Sequence, residues 1–167
     1  MGERQTQLEA FQKFVAKNLD WFRGRLPETI EAFDRYENDL GCSFSESIKW
    51  LPTTHGYWHA TGIADLEEAV KLTLECRDSI QLPARYVILN DHGDGGAIVL
   101  DTATETFDGE LRIHDVDASE LHGLNERDLE PDIVYETFLE YVASVLESAR
   151  DSFDPEDVKY NPTCFRE

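Results

Sequence analysis

At 167 residues, with 41% hydrophobic and 11% aromatic content, the chain can bury a real core, which argues against global disorder. Its 35 Asp and Glu against 15 Lys and Arg leave a net charge of −20. Such a field opposes binding to nucleic acid or anionic lipid and favours encounter with a cationic partner.

Residues 4–23 read as a helix, because Leu8, Phe11, Phe14, Val15, Leu19 and Phe22 recur at three- and four-residue spacing. Gly24 and Pro27 end it and start another, striped by Ile30, Phe33, Tyr36 (or Glu37) and Leu40, with Gly41 at the C-cap position. Ser45 caps a short third helix through Trp50, which Leu51-Pro52 is expected to break. THGYWHATG then reads as strand or loop. Asp65 followed by Glu68 resembles a capping box, opening a helix to about Asp78 with Leu66, Ala69, Val70 and Leu74 inward.

From Arg85 to Asp117 the pattern switches to three β-type runs separated by a glycine knot and an acidic turn. A polar connector, Ala118 to Pro131, leads to a long C-terminal helix opened by Asp132, with Val134, Phe138, Tyr141, Val142, Val145, Leu146 and Ala149 on one face. The tail after Asp151 has no periodicity. The fold class expected is therefore α+β in one domain, with a small antiparallel or mixed sheet of roughly three to five strands. The N-terminal helices and the long C-terminal helix would cover one face of that sheet. Residues 1–25 stand as an extra N-terminal helix, 30–150 as the core and 152–167 as an irregular tail.

The acidity is concentrated. Residues 1–60 carry a net −2 and residues 61–167 a net −18; between Asp91 and Glu136 fourteen acids face only Arg112 and Arg127. A solvated face is the ordinary reading of such a run, and its concentration in one region raises the weight of a basic partner. The three cysteines are far apart and form no CxxC, so free thiols and a reducing compartment are expected. The polar N-terminus shows no apolar signal region and no apolar run reaches membrane-span length. A cytoplasmic protein without membrane contact is the expectation.

No catalytic constellation stands out. Asp91, His92 and Asp94 could hold a metal or a general base, as in a metal-dependent hydrolase, but their spacing fails the calcium-loop pattern and a glycine turn explains them better. Gly93, Gly95 and Gly96 precede a strand instead of a helix, so no convergent amides await a phosphate. Asp115 and Asp117 share one strand face with His114 opposite, and an exposed strand end is favoured over a shared metal. His55, Trp58 and His59 could stack on a base or sugar, although a core or groove lining is commoner for such a Trp. No cofactor or metal is expected.

The order of motifs resembles the SUKH superfamily, which includes yeast cell-wall synthesis regulators and bacterial immunity proteins against polymorphic toxins. The resemblance rests on IEAFDRYENDLG (Ile30 to Gly41), ESIKWLPTTHG (Glu46 to Gly56), YVILNDHGDGGAIVLD (Tyr86 to Asp101), ELRIHDVD and YETFLEYVASVLE. It spans Ile30 to Leu146; Phe44-Ser45 and Gly95-Gly96 stand where the family often has Leu-Pro and Gly-Asp. It implies a non-enzymatic module that recognises a protein, in the bacterial branch a basic, nuclease-type toxin. The expectation is an intracellular immunity protein that neutralises a cognate toxin through an acidic surface. Asp91, Asp94, Asp108, Glu110, Asp115 and Asp117 would attract, and Trp58 and Tyr57 would anchor. The alternative is a regulatory scaffold that binds several cellular proteins. An exposed meander edge also offers pairing with a second copy as a homodimer.

Overall fold

Among the described residues, every α-helix begins on a side chain that satisfies an amide of its first turn, which is why the boundaries fall where they do. The structure, a computed structural model, describes residues 5–22, 27–56, 63, 65–91, 95–130 and 133–154. Thr6 and Glu9 form a reciprocal capping box on α1 (Gln7–Lys17). Thr29 caps α2 (Ile30–Leu40), Ser45 caps α3 (Glu46–His55), Asp65 caps α4 (Leu66–Ser79) and Thr137 caps α5 (Phe138–Ser152). Gly41 ends α2 in the left-handed conformation, φ 70°, as its position in the sequence implies.

Strands β1 (Tyr86–Asp91), β2 (Gly96–Glu105), β3 (Leu111–Asp117) and β4 (Ile133–Tyr135) form one antiparallel sheet in sequence order. Phe107 to Glu110 close the β2–β3 hairpin. Asp108 and Gly109 both take positive φ, and the Glu110 amide donates to the Phe107 carbonyl at 2.8 Å, the geometry an Asp-Gly pair favours.

Register sorts the side chains onto two faces. Val87, Leu89, Ile98, Leu100, Leu111 and Ile113 join the principal core with α1, α2, α3, α4 and α5. Tyr86, Ile88, Ala97, Val99 and Val116 form a second core with Leu82, Leu121 and Leu124. Both faces are thus covered, one by helices and the other by the segment after β3, where only one covered face was expected. The α1 helix is no appendage to this arrangement: Phe11 meets Trp50 and Phe138 edge-on at centroid distances of 5.6 and 5.2 Å.

The two sheet borders differ. The β1 border lies under α4, where the Thr73 hydroxyl accepts from the Ile88 amide at 3.0 Å and donates to the Ala69 carbonyl. The β4 border leaves Ile133 and Val134 49% and 41% exposed.

Three expectations are corrected. Helix α3 runs through Pro52 to His55, because the Thr53 hydroxyl donates to the Lys49 and Trp50 carbonyls and supports the turn that Pro52 weakens. The C-terminal helix starts at Phe138, not Asp132: Ile133–Tyr135 pair with β3, and the Thr137 cap begins the helix after them. Val134 therefore belongs to a strand and lies off the helix face assigned to it. Leu74, expected to point inward, is half exposed on α4.

Candidate functional site

The acids assigned to one attracting surface are distributed. Asp91 pairs with Ala97 and Asp117 with Gly96, so both stand at one end of the sheet. Asp108 lies in the hairpin at the other end, beyond the ten residues of β2, roughly 30 Å away along an extended strand. Asp94, Tyr57 and Trp58 lie outside the described residues, as does His92.

Two of these acids have evident local duties. Asp108 accepts from the Gln7 amide at 3.2 Å, tying the hairpin to the start of α1. Asp117 accepts from the Ser119 amide at 2.9 Å and caps the 3-10 helix Ala118–Leu121; hydrogen bonds from Ser119 lower its pKa.

Glu110 corrects the expectation outright. It is 2% exposed and cannot attract a partner from solvent. Its Oε1 accepts from the Phe138 amide at the start of α5, and the Ser45 and Ser47 side chains at the start of α3 also bond to it. The carboxylate thus joins two helix N-termini. Burial raises its pKa, these hydrogen bonds offset that in part, and Asp108 adds to the rise.

The polar connector from Ala118 to Glu130 is a built surface. Leu121, Leu124 and Leu129 pack it against the second core. Arg127 staples it from within, donating to the Glu120 carboxylate and to the carbonyls of Glu120, His122 and Asp128. Glu126, Asp128 and Glu130 remain exposed on it. The leucines spaced among these acids were the signal that this segment is anchored.

Beneath the strands' far end a second network forms around Asp101. Arg85 Nε and Nη2 donate to its two oxygens at 2.9 and 2.7 Å, Thr104 donates at 2.8 Å, and the Ala103 amide at 3.1 Å. His114 Nε2 lies 4.0 Å from Oδ2. Burial alone would raise the Asp101 pKa, but the imidazole of His114 nearby and the hydrogen bonds from Arg85, Thr104 and Ala103 outweigh it and hold the carboxyl well below the usual carboxylate range. His114 is opposite to Asp115 and Asp117, as periodicity implies. However, it is buried at 7% exposure, not an exposed strand end, because Val99 faces it across the ladder on the covered second face.

Asp101→Asn should therefore weaken the fold at pH 7 by about 1–2 kcal/mol, since Arg85 is partly solvated and screens the loss. A depressed carboxylate stabilises above its unfolded pKa, about 3.9, and loses that contribution as pH falls towards the folded value. Urea melts at pH 7 and pH 3 should show a smaller gap between variant and parent in acid; an unchanged gap would refute the assignment.

On the helical face, an open groove of about 330 Å³ lies between the β3–β4 border and α5. Ile98 and Asp115 reach it from the sheet, Tyr135 from β4, and Ser144, Ser148 and Ser152 from successive turns of α5. Tyr135 and Tyr141 rings pack at 5.4 Å, and the Tyr135 and Ser144 hydroxyls are 3.2 Å apart. Burial, then Asp115 and Tyr135, push the Tyr141 pKa far above its usual value, so its hydroxyl stays protonated.

Other polar groups offer less. Burial raises the Cys42 and Cys76 pKa values, so neither thiol is activated. His55 packs edge-on against Trp50 at 5.3 Å, and burial lowers its pKa. Among the described residues, no group of three or more His, Cys, Asp or Glu is placed to hold a metal ion, and no helix is long and apolar enough to cross a membrane. No protein-family model matches the chain, and no curated protein matches it either.

Proposed function

We propose that this chain is a binding module for a basic protein, and that it acts as an immunity protein neutralising a cognate cationic toxin. The observation that carries the reading is the stapled connector. Arg127 is its only Lys or Arg between Ala118 and Glu130, and it is consumed internally, while Glu126, Asp128 and Glu130 stand in solvent. Acids on an anchored backbone present a fixed negative potential, which steers a cationic partner without the ordering cost of a loose loop. The SUKH-like order of motifs supports the same reading and gives the toxin its expected class, a nuclease made basic by its phosphate-binding site. Cytoplasmic action against such a toxin belongs to this proposal.

The test is stoichiometric binding to an isolated basic toxin domain encoded beside this gene. A one-to-one complex is expected, with an association rate that falls steeply between 50 and 500 mM salt. Glu126→Lys/Asp128→Lys should slow association by about tenfold or more, because rim charges act chiefly on encounter. Absence of a salt-sensitive complex would remove the reading. The exposed β4 border favours a second one, a scaffold for several cellular proteins; a gene neighbourhood without a secreted toxin, and capture of unrelated host proteins, would support it instead.

A further inference from the structure

We propose that the groove between the β3–β4 border and α5 receives an arginine side chain from the basic partner, with Asp115 as its counter-charge. This rests on the reading of the chain as a binder of a cationic protein and names where such a partner would be held.

The groove's chemistry is mixed in a way that a plain apolar cleft is not. Ile98 and Val145 offer aliphatic surface for a side-chain stem, while the half-buried Asp115 carboxylate supplies negative charge. The Tyr135 hydroxyl and the hydroxyls of Ser144 and Ser148 add neutral acceptors along one wall. A guanidinium has five N–H donors in a plane and is weakly hydrated, so it can use several acceptors and lie against an aromatic ring. Lysine's compact ammonium matches this less well. The size is also restrictive: about 330 Å³ lies at the lower end of ligand-sized cavities, roughly 300–1,000 Å³, and suits one large side chain.

Among the described residues, the approach is open. Ile133, directly opposite Asp115 in the register, and Val134 form the exposed border beside the groove. Phe153 closes the α5 end at 40% exposure. A basic segment laid along β4 would bring alternate side chains to the groove side, so one arginine among apolar neighbours is the matching pattern. The chain's net −20 supplies long-range attraction, and Asp115 supplies the local contact.

The full chain, isotope-labelled, would be titrated with acetyl-Thr-Val-Arg-Val-Thr-amide and with the same peptide carrying citrulline, an uncharged isostere. The arginine peptide should move the amide resonances of Ile98, Asp115, Val145 and Ala149 saturably, and citrulline should bind about tenfold more weakly, as loss of one charge-assisted contact implies. Asp115→Asn should bring arginine to the citrulline level, and Ser148→Trp, which fills the groove from α5 and keeps the Asp115 charge, should abolish both. Unmoved groove resonances, or equal shifts in Asp115→Asn, would overturn the proposal. So would groove resonances that move on dilution while sedimentation reports a dimer, since a second copy would then be the occupant. If Asp115→Asn binds the toxin domain as tightly as the parent, the groove assignment falls and the functional reading stands; if the parent fails to bind, the functional reading falls.

Discussion

Glu110→Ala is expected to destabilise the protein by about 2–4 kcal/mol, lowering its melting temperature by roughly 6–12 °C for a chain of this size. The side chain is buried, and its removal strands the Phe138 amide and two serine hydroxyls at the starts of α5 and α3. Each stranded group costs about 1–3 kcal/mol, offset in part because a desolvated charge is also removed. Glu110→Gln keeps the acceptor and should stay within about 1 kcal/mol of the parent at neutral pH. The sign of the pH dependence separates the two terms. A carboxyl with a raised folded pKa favours the fold below its unfolded value, about 4.3, and loses that contribution as pH rises through the folded value. The Gln variant escapes this loss, so its stability relative to the parent should improve as pH rises from about 4 towards neutrality. Chemical denaturation of the three proteins across that range measures it. A neutral effect of Glu110→Ala would mean that the carboxyl faces solvent after all.

Phe11→Ala should cost more, about 3–5 kcal/mol, the usual range for removing a fully buried aromatic. Phe11 is completely buried and stands between Trp50 of α3 and Phe138 of α5. Its loss opens a cavity where three helices meet and removes two edge-to-face contacts, each worth about 0.5–1.5 kcal/mol beyond buried area. The urea midpoint should fall with little change in slope. Hydrogen exchange offers the sharper reading: α1 amides should be protected to the same free energy as β2 amides if the helix belongs to one cooperative unit. A loss below about 1 kcal/mol, with α1 exchanging freely, would make it a detachable arm.

These expectations bear on what could be read from residues alone. Helices α2 and α4 were legible because their apolar spacing agrees with a terminal signal, Gly41 after one and Asp65 before the other, whereas the helix expected over residues 4–23 stops at Lys17, since Leu19–Trp21 tighten into a separate 3-10 turn. The meander was legible because β-branched runs alternate with turn residues. β4 was not: three residues are too few for a period, and Val134 fits the α5 stripe by spacing alone. Only pairing with β3 decides its state. The acids show the same limit. Counting charge located the acidic region, but nothing local separates Glu110, drawn inside by two helix starts, from Asp108 two residues earlier in the turn. Glu126, Asp128 and Glu130 were overlooked because a connector without periodicity resembles filler, and their fixed placement depends on long-range packing by Leu121 and Leu124.

The unequal sheet borders limit how copies of this chain can add to one another. Strand addition needs an open row of amides and carbonyls, and on the β1 border α4 interrupts that row at Ile88, whose amide the Thr73 hydroxyl takes. Growth through the remaining row therefore ends as soon as it is occupied. A self-associated form built this way stops at a symmetric pair, and filaments by end-to-end extension of the sheet have no second face to propagate from.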